Sequence, residues 1–250
     1  MQSDEGPIDF EALMNHEIDA LSDRCDKAGV VDAWSGLHDL DRLLGEPVGG
    51  AALEVECGSA MVRSAFLMGA AIAAARSGKR TLYVSGALAM PETRMRLMAQ
   101  LSGVSLRDLR EARLSEPQWS LITRAAAKPL PLSTWSLSAE PQPSELGEAP
   151  PIGSCDVVVI DGCEIPLLAR EALNERCWVL TSRMLGRRTD ITKDWIRLLL
   201  KPLKITDSQL VSVEAVVVES ALCPEGSVAL SFDGSCLRFG HAAALNPSMN

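Results

Sequence analysis

The sequence predicts an α/β protein whose mostly parallel sheet is covered by helices on both faces. Two observations lead to this prediction. Apolar runs of strand length, such as 156–160, alternate with longer helical stretches, and strands in such alternation pair in parallel. Toward the carboxyl end the pattern changes to β-rich runs separated by turn sequences, which indicates an antiparallel hairpin there.

Composition limits the possible classes of protein. The chain has 250 residues and 47% hydrophobic content, enough for one sizeable core. Its net charge of −9 argues against a broad basic face that would neutralise nucleic-acid phosphates, although a local basic patch stays open. We therefore expect a single main domain that does not bind nucleic acid directly.

The cysteines and the amino-terminal segment indicate a cytoplasmic protein. Seven cysteines occur without a Cys-x-x-Cys pair, so we expect reduced, buried thiols and no disulfide framework. The three histidines are not clustered with cysteines, and no metal site is predicted. The first 23 residues are acidic without the apolar core of a signal peptide, and no run reaches the ~20 apolar residues of a membrane span.

An amphipathic helix is predicted over residues 10–27, ending near Gly29. Its apolar residues are spaced by three and four along the chain. They are Phe10, Leu13, Met14, Ile18, Leu21 and Cys25. Such a stripe has to be buried, and two interpretations are open: the helix packs on its own domain, or it docks on a partner.

The first half of the chain alternates predicted helices and strands. Gly45 stops a short helix, Pro91 opens another, and Ser105 and Ser115 are suited to cap two more. The predicted helices are 36–45, 60–76, 91–101, 105–112 and 115–128. The predicted strands of this half are 51–56 and 80–85.

The second half begins with a biased segment and then returns to strands. Residues 136–153 are rich in Ser, Pro, Glu and Gly, which predicts a mobile surface loop; a partner-binding loop is the alternative. Buried strands are predicted at 156–161 and 178–181, with a helix between them. Three further strands are predicted at 209–220, 227–232 and 235–239.

Residues 187–210 combine basic and apolar side chains. Ile196, Leu198, Leu199 and Leu200 favour a helix packed on the core, with the basic residues on its solvated face. Contact with a nucleic-acid strand is the alternative that the acidic chain disfavours. The basic residues are Arg187, Arg188, Lys193, Lys201 and Lys204.

A phosphate-binding loop that has lost its key residues follows the first strand, at residues 57–64. A working loop has Gly and Lys where this chain has Val62 and Arg63. The Gly lets backbone N–H groups close around phosphate, the Lys reaches the β- and γ-phosphates, and the next hydroxyl holds Mg²⁺. The hydroxyl is retained as Ser64, whereas a branched Val62 and a planar Arg63 are poor replacements.

Three segments in the same order carry a resemblance to a known family. The entry is Gly-Leu-His-Asp-Leu-Asp-Arg-Leu at 36–43, the middle is 90–119, and the exit is the hairpin and the residues after it at 226–239. With them the chain resembles, from about Phe10 to Ala243, the C-terminal RecA-like motor domain of DnaB-type replicative helicases. The family's collar domain has no counterpart in these 250 residues, so we expect an incomplete helicase.

The resemblance implies a domain organisation. Residues 30–243 correspond to the RecA-like domain and 244–250 to a tail. Residues 1–29 match the linker helix that in the family docks on the neighbouring subunit of the ring. The partner-docking residues implied on this helix are Phe10, Leu13, Met14, Ile18 and Leu21.

The resemblance also implies that catalytic residues have been replaced. Ala89 stands at the position of the catalytic Glu, Glu219 at that of a Lys, and Ala221 at that of the arginine finger. Loss of such a finger costs ~10³ to 10⁵ in rate. Asp161 matches the Walker B acid, although an Asp that caps a strand end is an equal interpretation.

We therefore expect no catalytic residue and no ATP hydrolysis. Arg63, Ser64 and Asp161 are the candidate nucleotide-binding residues, allowing at most weak binding of ATP and Mg²⁺. The expected activity is binding to a replicative helicase or its loader, or self-association. The open alternatives are a nucleotide sensor, an accessory protein for single-stranded DNA, and a structural subunit of another complex.

Overall fold

A mixed sheet of nine strands organises the part of the chain that the structure describes. This computed structural model describes residues 33–47, 49–86, 88–136, 152–162, 169, 172–183, 195–205, 210–220 and 222–241. The strands are β1 (Ala52–Cys57), β2 (Thr81–Ser85), β3 (Leu132–Ser136), β4 (Val157–Asp161), β5 (Trp178–Arg183), β6 (Trp195–Ile205), β7 (Leu210–Ser220), β8 (Gly226–Asp233) and β9 (Arg238–His241).

The sheet has a parallel half and an antiparallel half. Its spatial order is β3-β2-β4-β5-β1-β6-β7-β8-β9. Pairing is parallel from β3 to β6 and antiparallel from β6 to β9. The predicted α/β class with a mostly parallel sheet is confirmed, as is the hairpin of β8 and β9 near the carboxyl end.

Helices form where capping residues were recognised in the sequence. The helices are α1 (His38–Leu44), α2 (Ala60–Arg76), α3 (Met90–Ser102), α4 (Leu106–Glu111) and α5 (Glu116–Ala126), and Ile152–Ser154 is a short 3₁₀ turn. Gly45 ends α1 at φ 74°. The Ser105 hydroxyl accepts from the Asp108 N–H, and the Ser115 N–H donates to Gln118 Oε1 at 2.8 Å. The five helices predicted in the first half of the chain are confirmed to within a few residues.

Helix α2 is buried against the sheet along most of its length. Small alanine side chains let it approach closely, and Phe66 and Leu67 fill the core beneath it. The segment before α1 crosses α2 at Gly36, whose φ is +74°. A Cβ there would lie 2.5 Å from the Ala73 Cβ, so this crossing requires glycine.

The helix predicted around Ile196 to Leu200 is wrong, because the segment is strand β6. Ile196, Leu198 and Leu200 are buried, whereas Arg197 and Leu199 are half-buried, which is the two-residue alternation of a strand. Because Leu198, Leu199 and Leu200 are consecutive apolar residues, the sequence alone does not reveal that alternation. Pairing with β1 on one side and β7 on the other fixed the strand.

The basic residues of the same region follow the surface interpretation where they are described. Lys201 is exposed and lies 3.8 Å from a carboxylate oxygen of Glu214 on β7. Arg187, Arg188 and Lys193 lie outside the described residues.

Some predictions fall on residues that the structure does not describe. The chain divides into two units, Met1–Asp32 and Ala33–Asn250, and all described residues belong to the second. The amphipathic helix with its docking residues, most of the 136–153 loop and the 244–250 tail therefore lie outside the described residues. They stay predictions.

The structure describes five of the seven cysteines and shows whether its helices could cross a membrane. Five cysteines are free thiols: Cys57, Cys155, Cys177, Cys223 and Cys236. Burial raises the pKa of Cys177 to about 11, so this thiol stays protonated at neutral pH. Among the described helices, none has the length and apolar composition needed to cross a membrane.

An ion pair between Arg80 and Asp156 joins the starts of β2 and β4. Asp156 Oδ2 accepts from the Arg80 backbone N–H at 2.8 Å and from Nε at 3.2 Å, and Oδ1 accepts from Nη2 at 2.9 Å. The side-chain hydrogen bonds of Arg80 lower the pKa of Asp156 more than partial burial raises it.

We expect Asp156→Asn to lower the free energy of unfolding at pH 7 by about 1 kcal/mol, since solvent screens this partly exposed pair. The folded pKa is depressed, so the stabilisation is complete above the unfolded pKa of about 3.9 and is lost as pH falls through the folded value. Urea unfolding at pH 7, 5 and 3 measures this. The exposed Glu225→Gln is the control, and a pH-independent difference for Asp156→Asn would contradict the expectation.

Candidate functional site

The connection between β1 and α2 is shorter than a phosphate-binding loop needs. Strand β1 ends at Cys57 and α2 begins at Ala60, so only Gly58 and Ser59 connect them. Residues 60–64 of the eight-residue motif are therefore already helical. Their backbone is helical in this structure, whereas a working phosphate-binding loop wraps the phosphate with an open backbone.

Three amide N–H groups around the start of α2 are hydrogen-bonded within the chain. Ser59 caps the helix, and its hydroxyl accepts from the Val62 N–H at 3.4 Å. The Ser59 carbonyl accepts from the Arg63 N–H at 3.0 Å. The Ser59 N–H is directed to the Cys57 sulfur at 3.4 Å. These bonds occupy the N–H groups of Ser59, Val62 and Arg63, which in an open loop could be directed at a phosphate.

Two of the three predicted nucleotide-binding residues, Arg63 and Asp161, lie close together in the interior. Arg63 is 8% exposed and Asp161 is fully buried. Arg63 Nε lies 4.0 Å from Asp161 Oδ1, and neither atom has a hydrogen-bond partner among the described residues. The two groups interact as opposite charges in a site of low dielectric.

Tyr83 completes this buried group, and sequence reasoning missed it. Its hydroxyl donates to Asp161 Oδ2 at 2.8 Å. Tyr83 lies on β2, which is paired with β4 so that Ser85 is opposite Asp161, and Tyr83 shares the face of Asp161. The sole tyrosine of the chain, two residues from the end of a predicted strand, was a signal that could have been used.

Ser64, the third predicted residue, is buried on α2 at 6% exposure. No hydrogen bond joins it to Arg63 or Asp161 among the described residues. The structure therefore places Ser64 directly after Arg63 in the first turns of α2.

Ala89, which the sequence resemblance places at the position of a catalytic Glu, is among the described residues. Ala89 is the residue before α3, and its carbonyl accepts from the Thr93 hydroxyl at 3.2 Å. The acid in the first turn of α3 is Glu92, which pairs with Arg96 at 2.7 Å and with Arg110. Burial raises the pKa of Glu92, but the hydrogen bonds from Arg96 and Arg110 together bring it below its usual value.

Glu219 and Ala221 are the residues that the sequence resemblance places at the positions of a Lys and an arginine finger. Glu219 is exposed at the end of β7, and its carboxylate lies 3.0 Å from Arg197 Nη1 on β6. Arg197 Nε also lies 3.8 Å from buried Glu54 on β1. The cation at this end of the sheet is thus held between two acids of its own chain. Ala221 lies outside the described residues.

Comparison with known proteins identifies the fold. Neither a protein-family model nor a curated protein matches the chain. Among solved structures, an isolated ATPase domain has a TM-score of 0.65 at 13% identity, covering 91% of this chain and 98% of that one. A DnaB-like replicative helicase, from a structure describing its interactions with primase, also has a TM-score of 0.65, at 15% identity and 95% and 67% coverage.

The fold is RecA-like. It is the fold of the ATPase domains of DnaB-like helicases, as the sequence resemblance implied. At 13 and 15% identity the likeness establishes the arrangement of this RecA-like domain and not its chemistry. The site must therefore be argued from its own residues.

We expect Arg63→Met to lower the free energy of unfolding by about 3 to 5 kcal/mol, because it leaves the Asp161 carboxylate buried without a counter-charge. The double variant Arg63→Met/Asp161→Asn should recover much of that loss. Tyr83→Phe, which removes one hydrogen bond to a charged group, should cost about 1.5 to 3 kcal/mol. Urea unfolding of the four proteins measures all three effects. Equal losses in the single and double Arg63 variants would refute the pairing.

Proposed function

We propose that this protein is a pseudo-ATPase: a RecA-like domain that does not hydrolyse ATP and acts by binding other proteins. The observation that carries the proposal is the buried pair of Arg63 and Asp161. In a working site the two corresponding side chains face phosphate and Mg²⁺ instead of each other.

The start of α2 supports this proposal. A phosphate wrapped by an open loop, as in a working site, would displace the Ser59 cap from the N–H of Val62 and unwind the first turn of the helix. Val62 is itself buried at 4% exposure, so that unwinding would also remove an apolar side chain from the core.

The charges of the site also oppose a bound metal. Mg²⁺ near Asp161 would lie beside the buried guanidinium of Arg63, so two cations would share one carboxylate. Breaking the pair to make room leaves a buried charge without a partner, which is costly. Adding ATP with Mg²⁺ therefore requires a rearrangement, and binding of either is expected to be weak.

The remaining catalytic positions support the same conclusion. Ala89 has no group that could orient an attacking water, and the nearby Glu92 is occupied by two arginines. Glu219 and the Arg197 that it contacts form an internal ion pair at the end of the sheet where the family carries its trans-acting cation. Several separate requirements of phosphoryl transfer are thus unmet together.

The proposed activity is modulation of a replicative helicase in the cytoplasm, by binding the helicase or its loader. The fold is shared with DnaB-like helicases, one of which was solved in a study of its interactions with primase. The predicted helix at 10–27, with Phe10, Leu13, Met14, Ile18 and Leu21, would dock where a helicase subunit's own linker helix docks. Self-association and a structural role in another complex are the competing outcomes.

The purified full-length protein is expected to release no phosphate from millimolar ATP with Mg²⁺ and to show no shift in its melting temperature. A phosphate-release assay and a thermal melt measure these two properties, with an active DnaB-like helicase as the positive control. The variant Arg63→Met/Asp161→Asn lacks both candidate nucleotide-binding side chains. Phosphate release that is equal in the variant and the unmodified protein is therefore due to a contaminating ATPase. Turnover that the double variant abolishes would disprove the pseudo-ATPase proposal, and a melting shift without turnover would favour the nucleotide sensor.

Affinity purification of the tagged full-length protein from its native host is expected to recover the replicative helicase or its loader. Deletion of residues 1–29 should abolish that recovery, because it removes the predicted docking helix. Mass spectrometry identifies the recovered proteins. Helicase binding that survives the deletion would refute docking through this helix, and recovery of other proteins alone would show that the fold serves another complex.

A further inference from the structure

A small cavity lies beside α2, where the segment before α1, helix α3 and strand β9 come together. Its volume is about 160 Å³. Phe66 and Phe239 form part of its wall, with their rings edge to face and 5.5 Å between the ring centroids. Leu37, Ile72 and Ala73 add aliphatic surface. An apolar cavity of roughly 150 Å³ holds a benzene molecule, so this one has room for a single six-membered ring.

Gly69 leaves space for this cavity. It lies in the middle of α2 and lines the cavity wall. Glycine is less favourable than alanine inside a helix. A Cβ at this position would lie 3.7 Å from Gln100 Oε1, which is an ordinary contact, and would meet no other neighbouring element of the described chain within 4 Å. Packing therefore permits alanine here, whereas the glycine enlarges the cavity and lowers the stability of the helix.

Two arginines stand at the mouth of the cavity. Arg76 ends α2 and Arg238 begins β9. Both are exposed, and in the described part of the chain neither forms an ion pair with a carboxylate. Arg238 Nε and Nη2 donate to the carbonyl oxygens of Gln100 and Leu101 at the end of α3. These carbonyls carry only partial negative charge, so the guanidinium is held in place while most of its charge stays uncompensated.

Gln100 supplies a hydrogen-bond acceptor in the wall. It is 5% exposed, and its Nε2 donates to the Ala65 carbonyl at 2.9 Å, which fixes the orientation of the side chain. Its Oε1 makes no hydrogen bond with a described residue and lies next to Gly69. A buried amide oxygen without a donor is unfavourable. A ligand that donates a hydrogen bond to this oxygen is therefore stabilised.

We propose that this cavity binds a small aromatic carboxylate whose single ring carries a hydroxyl group. The ring packs on Phe66 and Phe239. The carboxylate pairs with Arg76 and Arg238, whose planar guanidinium groups match its geometry. The hydroxyl donates to Gln100 Oε1. One ring with a polar group at each end thus satisfies the apolar wall, the two charges and the acceptor together.

Size and charge select this class over other ligands. A purine nucleotide adds a second ring, a ribose and phosphates, which exceed the space for one six-membered ring. A cation is repelled by the two arginines. Arg63, Ser64 and Asp161 do not line the cavity, so the inference is independent of ATP binding and of the proposed pseudo-ATPase.

The test uses the full-length protein and 4-hydroxybenzoate as the probe, with binding measured by a nuclear magnetic resonance titration of the ring protons. We expect a Kd of about 1 mM or lower. Benzoate, which lacks the donor, should bind about threefold more weakly. The neutral 4-hydroxybenzyl alcohol and the cation tyramine should bind at least about tenfold more weakly. Added salt should weaken 4-hydroxybenzoate and leave the alcohol unchanged.

Gly69→Ala separates the cavity from the stability of the fold. The added methyl group occupies part of the cavity and should weaken 4-hydroxybenzoate about tenfold or more. It should also raise the melting temperature by about 1 to 4 °C, because alanine favours the helix. Loss of binding in a more stable protein cannot result from unfolding.

A pair of arginine variants locates the bound carboxylate. Arg76→Gln should weaken 4-hydroxybenzoate about fivefold or more, because it removes one of the two charges at the mouth. Arg94→Gln is the matched control, since Arg94 is an exposed arginine of α3 that does not line the cavity. It should change the affinity by less than about twofold.

Three results would overturn the inference. The first is no binding of 4-hydroxybenzoate up to about 10 mM, or equal binding of 4-hydroxybenzyl alcohol. The second is unchanged affinity in Gly69→Ala, which would show that the ligand does not enter the cavity. The third is unchanged affinity in Arg76→Gln, which would place the carboxylate elsewhere on the protein.

Discussion

The packing of α2 against the middle of the sheet is the constraint on which the rest of the structure depends. The helix is buried on most of its surface and lies directly after β1, so its first turn is also the floor of the candidate site. Because its alanines allow close approach, the chain preceding α1 can cross it only at a glycine. Any change to the site must therefore be compatible with this packing.

The close packing explains why charge is balanced inside the site. Arg63 is carried on the buried first turns of α2, and its side chain has little access to solvent. Asp161, at the end of β4, supplies the counter-charge, and Tyr83 supplies a hydrogen bond from the adjacent strand. Each of the three would be costly to bury alone, so the group forms one electrostatic unit.

The fold and the chemistry of the site depend on different features of the chain. The fold depends on the packing of α2 against the sheet, to which many apolar side chains contribute. The chemistry of a RecA-like site depends on a few atoms, here those of Arg63, Ser64 and Asp161, so a shared fold does not establish a shared activity.

The sequence by itself determined the α/β class and, to within a few residues, the helices α1 to α5, because capping residues and glycines are local features. It could not determine that 196–200 is a strand, since consecutive apolar residues suit either structure and pairing with β1 and β7 decided it. Nor could it show that Arg63 faces Asp161 and Tyr83. Those residues are far apart in the chain, and only the parallel register of β2 and β4 beside α2 brings their side chains together.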